Sequence, residues 1–459
     1  MLSLRIFIGT LLVLLAAPLC TRAETVPNAP AEALSQDYTV TVARNALPVY
    51  VAKSVHGGDY SFASFDFSAP IEVTIAGKAG IEKAVLRPVS KAVKTKREKD
   101  KLTLTITRPC QLSIEPNGIE SPLLLFANPA EKEAIHEGSE NVVYFGPGVH
   151  TPGKITLKSN QTLYLAANAV VKATVTATNA ENVRICGRGI LDGTDWPWLK
   201  GPSPYMVNLM HCRNVAVEDI IIRGAYCWTL VPRRSQQVTI RNVKILGSRV
   251  QNDDAIDVCN SQDVTIEDCF LRSDDDCIAL KGLIRLAEGN PVPVCNIHIR
   301  RCIFWCDRAR IFLLGHESAA PAMEQIQVAD CDIVHHRMTP FLLEPGEEMP
   351  LRNVTFENIR VESDGRPEFI RLRPTVNKYM HLQQPGHIRD ITFSDIKVTR
   401  SVPGDPKIQL LGADKDHRVE GVVFRNVVVN GKTVKQTTPG VEIGEHTANV
   451  QFLAEPPVR

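Results

Sequence analysis

The sequence predicts an all-β chain in which a small N-terminal β-sandwich is followed by a parallel β-helix. Three observations predict it. Short apolar runs alternate with polar residues between Tyr38 and about Phe126, as half-buried antiparallel strands do. After Asn141 short strands recur without helical periodicity. They also repeat, one pattern being written eight times in a single phase.

Residues 1–23 carry Arg5, an apolar run from Ile6 to Ala17, and Thr21 and Ala23 at positions −3 and −1 of a cleavage site. This predicts a secretory signal peptide and a secreted or periplasmic protein. Ala17-Pro18-Leu19 before Cys20 makes a poor lipobox, which favours simple export. No later segment approaches 18 uninterrupted apolar residues, so the mature chain is expected to be soluble, with no membrane span. With a net charge of +1 and 22% charged residues, nothing in the balance calls for nucleic acid or an anionic membrane. The chain is expected to act as a monomer.

Residues 24–127 are assigned to the sandwich, with strands at 38–42, 71–75 and 102–106. The basic run 91–101 reads as a solvated hairpin tip. Residues 128–140 form a linker and 141–459 the β-helix. Its repeat is apolar, any, apolar, two or three polar residues, then apolar, at 215–220, 238–243, 264–269, 297–302, 326–331, 354–359, 391–396 and 422–427. Successive copies begin 23 to 37 residues apart, which fits coils joined by loops of varying length. Asp219, Asn242, Asp268, Asp330, Asn358, Asp395 and Asn426 precede the last apolar position, with Arg301 the exception. Such a column predicts a left-handed turn between two strands. Of 12 cysteines, Cys269, Cys302 and Cys331 fall in the apolar column and read as a buried stack, not as disulfides or metal ligands. No CxxC pair or His cluster has zinc spacing.

Chemistry is expected in residues 252–282. Asp253, Asp254 and Asp257 form one carboxylate cluster, and Asp274, Asp275 and Asp276 a second, with Asp254 and Asp276 22 residues apart. A coil of that length stacks the clusters about 4.8 Å apart. Carboxylates so close cannot all ionise normally, which supplies the acid and base that glycoside hydrolysis needs. A calcium site or a solvated acidic turn stands beside this reading.

The segments Gly187-Arg188-Gly189-Ile190-Leu191-Asp192-Gly193, Trp196, Trp198, Trp228, Asn252-Asp253-Asp254-Ala255-Ile256-Asp257 and Asp275-Asp276-Cys277-Ile278-Ala279-Leu280-Lys281 resemble glycoside hydrolase family 28, the polygalacturonases. The resemblance covers about 100 residues well. It implies a right-handed, pectin-lyase-like β-helix and inverting hydrolysis of an α-glycosidic bond in a polysaccharide, with no metal or other cofactor. By that resemblance Asp275 is the general acid, while Asp254 and Asp276 activate water. An inverting pair is expected to stand roughly 6.5–9.5 Å apart. The family's Gly-His-Gly motif precedes a strand, whereas Gly315-His316-Glu317 follows the expected strand 311–314, and Arg308-Ala309-Arg310 stands before it. The Arg-Ile-Lys motif that meets the sugar carboxylate in polygalacturonases is not found. Arg308, Arg310, Arg371 and Arg373 are the candidates to replace its charge.

Lys281, Arg308, Arg310 and His316 are the substrate-binding candidates. Lys281 either binds a sugar hydroxyl or neutralises the carboxylates, and His316 is alternatively a structural residue at a coil corner. Trp196, Trp198 and Trp228 are candidates for a surface that stacks pyranose rings, with the two that flank Pro197 on an exposed loop. The loop 283–294 is expected to close the cleft and favour attack at chain ends. The front half, including Leu123-Leu124-Leu125-Phe126-Ala127-Asn128-Pro129 and Val142-Val143-Tyr144-Phe145-Gly146-Pro147-Gly148-Val149-His150, is similar to family 49, the dextranases and isopullulanases. The substrate is therefore expected to be pectic or a neutral α-glycan. Two rivals to hydrolysis remain: a calcium-dependent pectate-lyase-like eliminase with Arg308 or Arg310 as base, and a non-catalytic glycan-binding β-helix.

Overall fold

The computed structural model describes residues 34–454, except 82, 133–134, 284–288, 363–364 and 402–404. The expected signal peptide and the centre of the 283–294 loop lie outside the described residues. Alternating runs build the first sheet, where Tyr38–Val42, Ile71–Gly77 and Lys101–Ile106 pair antiparallel between edge strands Asn45–Leu47 and Lys94–Glu98. Every residue of Lys94–Glu98 is exposed, so the basic run blunts a sheet edge with charge.

The second sheet runs in the order Tyr50–Ala52, Tyr60–Phe67, Leu123–Pro129, Cys110–Glu115 and Val85–Arg87. It departs from the half-buried expectation. Leu123 and Leu125 pack towards the first sheet, while Leu124 and Phe126 pack outwards with Tyr60 and Phe62. Both faces are covered, which is why residues 123–127 are apolar without alternation. One pairing, Leu123–Pro129 with Tyr60–Phe67, is also parallel.

Among the described residues, 31 strands from Val142–Phe145 to Thr447–Leu453 form one sheet wound as a right-handed parallel β-helix. Three strands make a coil. Ile256–Cys259, Gln262–Glu267 and Phe270–Ser273 lie under Ile278–Gly282, Val294–Arg300 and Ile303–Cys306. Val215, Val238, Val264, Ile297, Ile326, Val354, Ile391 and Val422 stand in one register, so the eight sequence repeats are one column. The turn column is left-handed throughout, with φ between 50° and 71°, including Arg301 at 55°. Asn242, Asn358 and Asn426 each donate a side-chain N–H to the Asp one coil earlier, and Arg301 does the same to Asp268. Cys269, Cys302 and Cys331 are buried free thiols.

The outward face of the second sheet seats against the short strands of the helix. Tyr60, Phe62, Leu124 and Phe126 meet Ile190, Ile221, Leu246, Phe270, Ile303 and Trp305. Polar pins cross the same interface. Arg223 donates to Val51 O at 2.7 Å and to Asp192, and Tyr60 Oη donates to Gly247 O at 3.0 Å. Gly247 itself has no room for a Cβ, which would stand 2.8 Å from Arg272 O and 2.9 Å from Asp253 Oδ2. Arg272 is fully buried, its guanidinium 4.1 Å from the ring centres of both Tyr60 and Trp305. Its Nε donates to Asp307 at 2.8 Å.

Removing one partner of a buried ion pair leaves the other uncompensated, at a cost of about 3–5 kcal/mol. Arg272→Ala is therefore expected to lower stability by about that amount. Guanidinium denaturation followed by tryptophan fluorescence measures it, and a loss below about 1 kcal/mol would mean that apolar contact alone holds the two domains.

Candidate active site

The site forms where three successive coils begin one sheet. Asp254 precedes Ile256–Cys259, Asp275 and Asp276 precede Ile278–Gly282, and Arg308 and Arg310 precede Phe312–Ser318. Ile256, Ile278 and Phe312 stack in register. One oxygen from each of Asp254, Asp275 and Asp276 lies within 4.8 Å of the others. This is a separation of single oxygens, shorter than the roughly 6.5–9.5 Å expected between whole carboxyl groups of an inverting pair. Each of the three carboxyls has its own cation from the same coils, Lys281 at Asp254, Arg308 at Asp275 and Arg310 at Asp276.

Arg308 donates to Asp274 Oδ2 and to Asp275 Oδ2, both at 2.6 Å. Arg310 places Nε 2.7 Å from Asp276 Oδ1 and donates from Nη2 to Oδ2 at 2.8 Å. Lys281 Nζ donates to Asp254 Oδ2 at 3.0 Å, lies 2.8 Å from Asp257 Oδ1, and sits 3.7 Å from the ring centre of Trp228. Burial alone would lower the Lys281 ammonium, but Asp254 and Asp257 outweigh it and hold it above its usual range. Its ammonium is thus spent on the carboxylates. Burial pushes Asp254 up against the pull of Lys281, and Asp276 up to about 8 against Arg310. Asp254 Oδ1 is buried with no hydrogen-bond partner among the described residues.

Asp275 is the most accessible of the three, its side chain 11% exposed against 3% for Asp254 and 2% for Asp276. Asn252 Nδ2 also reaches it, at 3.4 Å. Asp253 has a different task. It accepts backbone N–H groups from Ser248, Arg249, Asp274 and Asp275 and so fixes the turn that carries its neighbours.

Among the described residues no hydrogen bond or ion pair joins His316 to the triad. His316 falls inside Phe312–Ser318 rather than after a strand, because Gly315 and His316 at φ 116° and 59° bulge the strand before pairing resumes at Ser318. Its Nε2 is 3.1 Å from Glu344, which Arg373 also contacts at 2.8 Å. Arg371 donates to Gln409. Of the tryptophans, Trp198 is exposed, whereas Trp196 packs on Tyr226 and Trp228 stacks on Tyr205 at 5.1 Å. Trp198 is thus the exposed ring of the three, while Trp196 and Trp228 are half-buried against tyrosines.

Sequence reasoning missed a contributor from the sandwich. His56 Nε2 lies 2.5 Å from Asp274 Oδ1, and Val55 N–H donates to Ser248 O at 2.8 Å. A chain of contacts follows from His56 through Asp274 and Arg308 to Asp275. Nothing in the sequence signals a partner 218 residues away. Asp307, which accepts from Arg272, Ser248 and Trp305, was missed for the same reason.

Residues 139–443 match the family model for glycosyl hydrolases family 28. A probable polygalacturonase of Vitis vinifera is 26% identical over 230 residues, 41% of this chain and 47% of that protein. An exopolygalacturonase of Cochliobolus carbonum is 24% identical over 278 residues, 54% of this chain and 62% of that one. The matched region thus spans about half to three fifths of the length of these relatives. Among solved structures, Dex49A from Penicillium minioluteum superposes with a TM-score of 0.63 at 14% identity, covering 92% of this chain and 94% of that one. It shares the fold over both the sandwich and the helix.

Proposed function

The chain belongs to glycosyl hydrolases family 28, and from that premise we propose that it is an exported enzyme that hydrolyses an α-glycosidic bond of a polysaccharide with inversion. The observation that carries the hydrolase reading is the convergence of Asp254, Asp275 and Asp276 within 4.8 Å, while inversion rests on the family alone. Asp275, the most exposed of them, donates its proton to the glycosidic oxygen as the bond to the anomeric carbon breaks. Asp254 and Asp276 orient a water that attacks the same carbon from the opposite face and take up its proton. The unpartnered Asp254 Oδ1 is the acceptor that such a water would use. Burial favours a retained proton at Asp254 and at Asp276, against the pull of Lys281 and Arg310.

The relatives named as polygalacturonases support a galacturonan substrate. A neutral α-glycan is the second reading, favoured by the commitment of Arg308, Arg310 and Arg373 to carboxylates and of Arg371 to Gln409. The same commitments weigh against an eliminase, since an arginine paired to a buried acid does not serve as a base. His316, bonded to Glu344, is read as supporting the rim of the cleft. Among the described residues no helix is long and apolar enough to cross a membrane.

Reducing-sugar release from polygalacturonate, dextran and pullulan, by wild type beside Asp275→Asn, tests the assignment. The variant is expected to lose about 10²–10⁴-fold in kcat while keeping its fold. Turnover near wild type would remove Asp275 from the acid role. Proton NMR of the first product should show the β anomer from an α-linked substrate, and an α anomer at first appearance would replace inversion with retention. The acid limb of kcat/KM is expected above the ordinary carboxylate range, since burial raises Asp276 and its ionised form is the active one. Arg310 lowers that value, so Arg310→Met should move the limb to still higher pH. An unmoved limb would detach it from Asp276.

A further inference from the structure

A second cluster of ligating side chains stands apart from the carboxylate triad, at the entrance to three later coils. Glu348 precedes Pro350–Val361, His387 opens His387–Val398, and His417 precedes Val419–Arg425. These strands stack in register, Pro350 on His387 and Ile388 on Val419. His387 Nε2 is 3.2 Å from Glu348 Oε2, and His417 Nε2 is 3.2 Å from Glu348 Oε1. One ligand atom from each residue lies within 4.8 Å of the other two. The imidazole rings stack with centres 4.9 Å apart.

The outer nitrogen of His417 is also engaged. Its Nδ1 lies 2.9 and 2.8 Å from the two carboxylate oxygens of Asp414, which itself accepts the N–H groups of Asp416 and His417 at 2.9 Å. That contact assigns the Nδ1 proton to the Asp414 side and leaves Nε2 turned on the Glu348 carboxylate. Nε2 meets the Glu348 carboxylate either as a donor from a protonated ring or through a cation held between them, and the second arrangement also engages His387. A carboxylate behind a histidine is the outer support that metal-binding histidines use.

We propose that Glu348, His387 and His417 form a binding site for a divalent transition cation of the zinc class, with Asp414 orienting His417. Two imidazoles and one carboxylate suit such an ion and do not suit calcium or magnesium, which take oxygen ligands. Bonds of about 2.0–2.2 Å in a tetrahedron set neighbouring ligand atoms roughly 3.3–3.5 Å apart; the three ligand atoms lie within 4.8 Å, and each imidazole is 3.2 Å from a different oxygen of Glu348, so a small turn of that carboxylate completes the set. The side chains of Glu348 and His387 are 51% and 37% exposed, so solvent reaches the fourth position. The ion would tie three coils of the C-terminal half together, a role independent of the glycosidase reading. Sequence spacing hides the site because each ligand comes from a different coil.

Calorimetric titration of the chelator-treated full chain with zinc chloride tests this. One ion per chain is expected at roughly micromolar Kd or tighter, with a rise in melting temperature. His387→Ala with His417→Ala should abolish both effects, Asp414→Asn should weaken binding about 10–100-fold, and Asp254→Asn should leave it unchanged. If the double variant does not fold, visible d–d bands of Co²⁺ on the wild type, displaced by zinc, report the imidazole ligands instead. Zinc and cobalt without effect on the wild type would overturn the proposal, as would binding that survives the double variant or is lost in Asp254→Asn.

Discussion

In a parallel coil, equivalent positions of successive turns stand about 4.8 Å apart, and each column of this chain answers that constraint in its own way. Apolar columns stack like on like, as in the ladder Phe356, Phe393, Phe424 and Phe452, with ring centres 4.8–5.3 Å apart. The turn column alternates donor and acceptor, Asn beneath or above Asp, so that each amide meets a carboxylate. A charged column has no such easy solution. Around the triad, Asp253, Asp254, Asp257, Asp274, Asp275, Asp276 and Asp307 face the permanent cations Arg272, Lys281, Arg308 and Arg310. Acids outnumber bases in a buried place, so protons are retained there at pH values where free carboxylates have lost them.

The sandwich belongs to this arrangement. Its second sheet is buried on both faces, so that sheet is shared between the core of the sandwich and the flank of the helix. Arg272 between Tyr60 and Trp305, Arg223 on Val51, and Val55 on Ser248 fasten the sandwich to the coils that carry the aspartates. His56 then completes the coordination of Asp274, which leaves Arg308 oriented between Asp274 and Asp275. A domain with no triad residue thus sets the orientation of one.

What is legible in the sequence is what repeats or is local. The eight-fold column and its left-handed turn are written once per coil, so Val215 and Asp219 announce their counterparts up to Val422 and Asn426. Arg301 breaks the residue pattern yet keeps the conformation, because its guanidinium makes to Asp268 the bond an Asn would make. Asp254, Asp275 and Asp276 are legible because the coil between them is short. Pairings across the domain interface are not, since His56 and Asp274 share no period. The second sheet escapes a reading by alternation because alternation reports one covered face, and the run at 123–127 has two. His316 lies within its strand and not after it, because a bulge carries no signal in a sequence where Gly precedes a polar residue.

Charge also bears on substrate choice. A galacturonan brings one carboxylate per sugar to a cleft whose floor already holds more acids than cations. Recognition of such a chain requires a cation not consumed in compensating the floor. Arg310 and Lys281 are largely buried and paired, and Arg373 is paired to Glu344. Arg308, with its side chain 40% exposed, is the member of the set that combines an acid partner with access to solvent. If the substrate is anionic, its carboxylate competes with Asp275 for that guanidinium, and binding would free the Asp275 oxygen that carries the proton in the proposed mechanism. If the substrate is neutral, Arg308 stays on Asp275 Oδ2, and the proposed donor has to carry its proton on the other oxygen. Substrate charge and proton inventory are therefore one question at this site, joined through a single arginine.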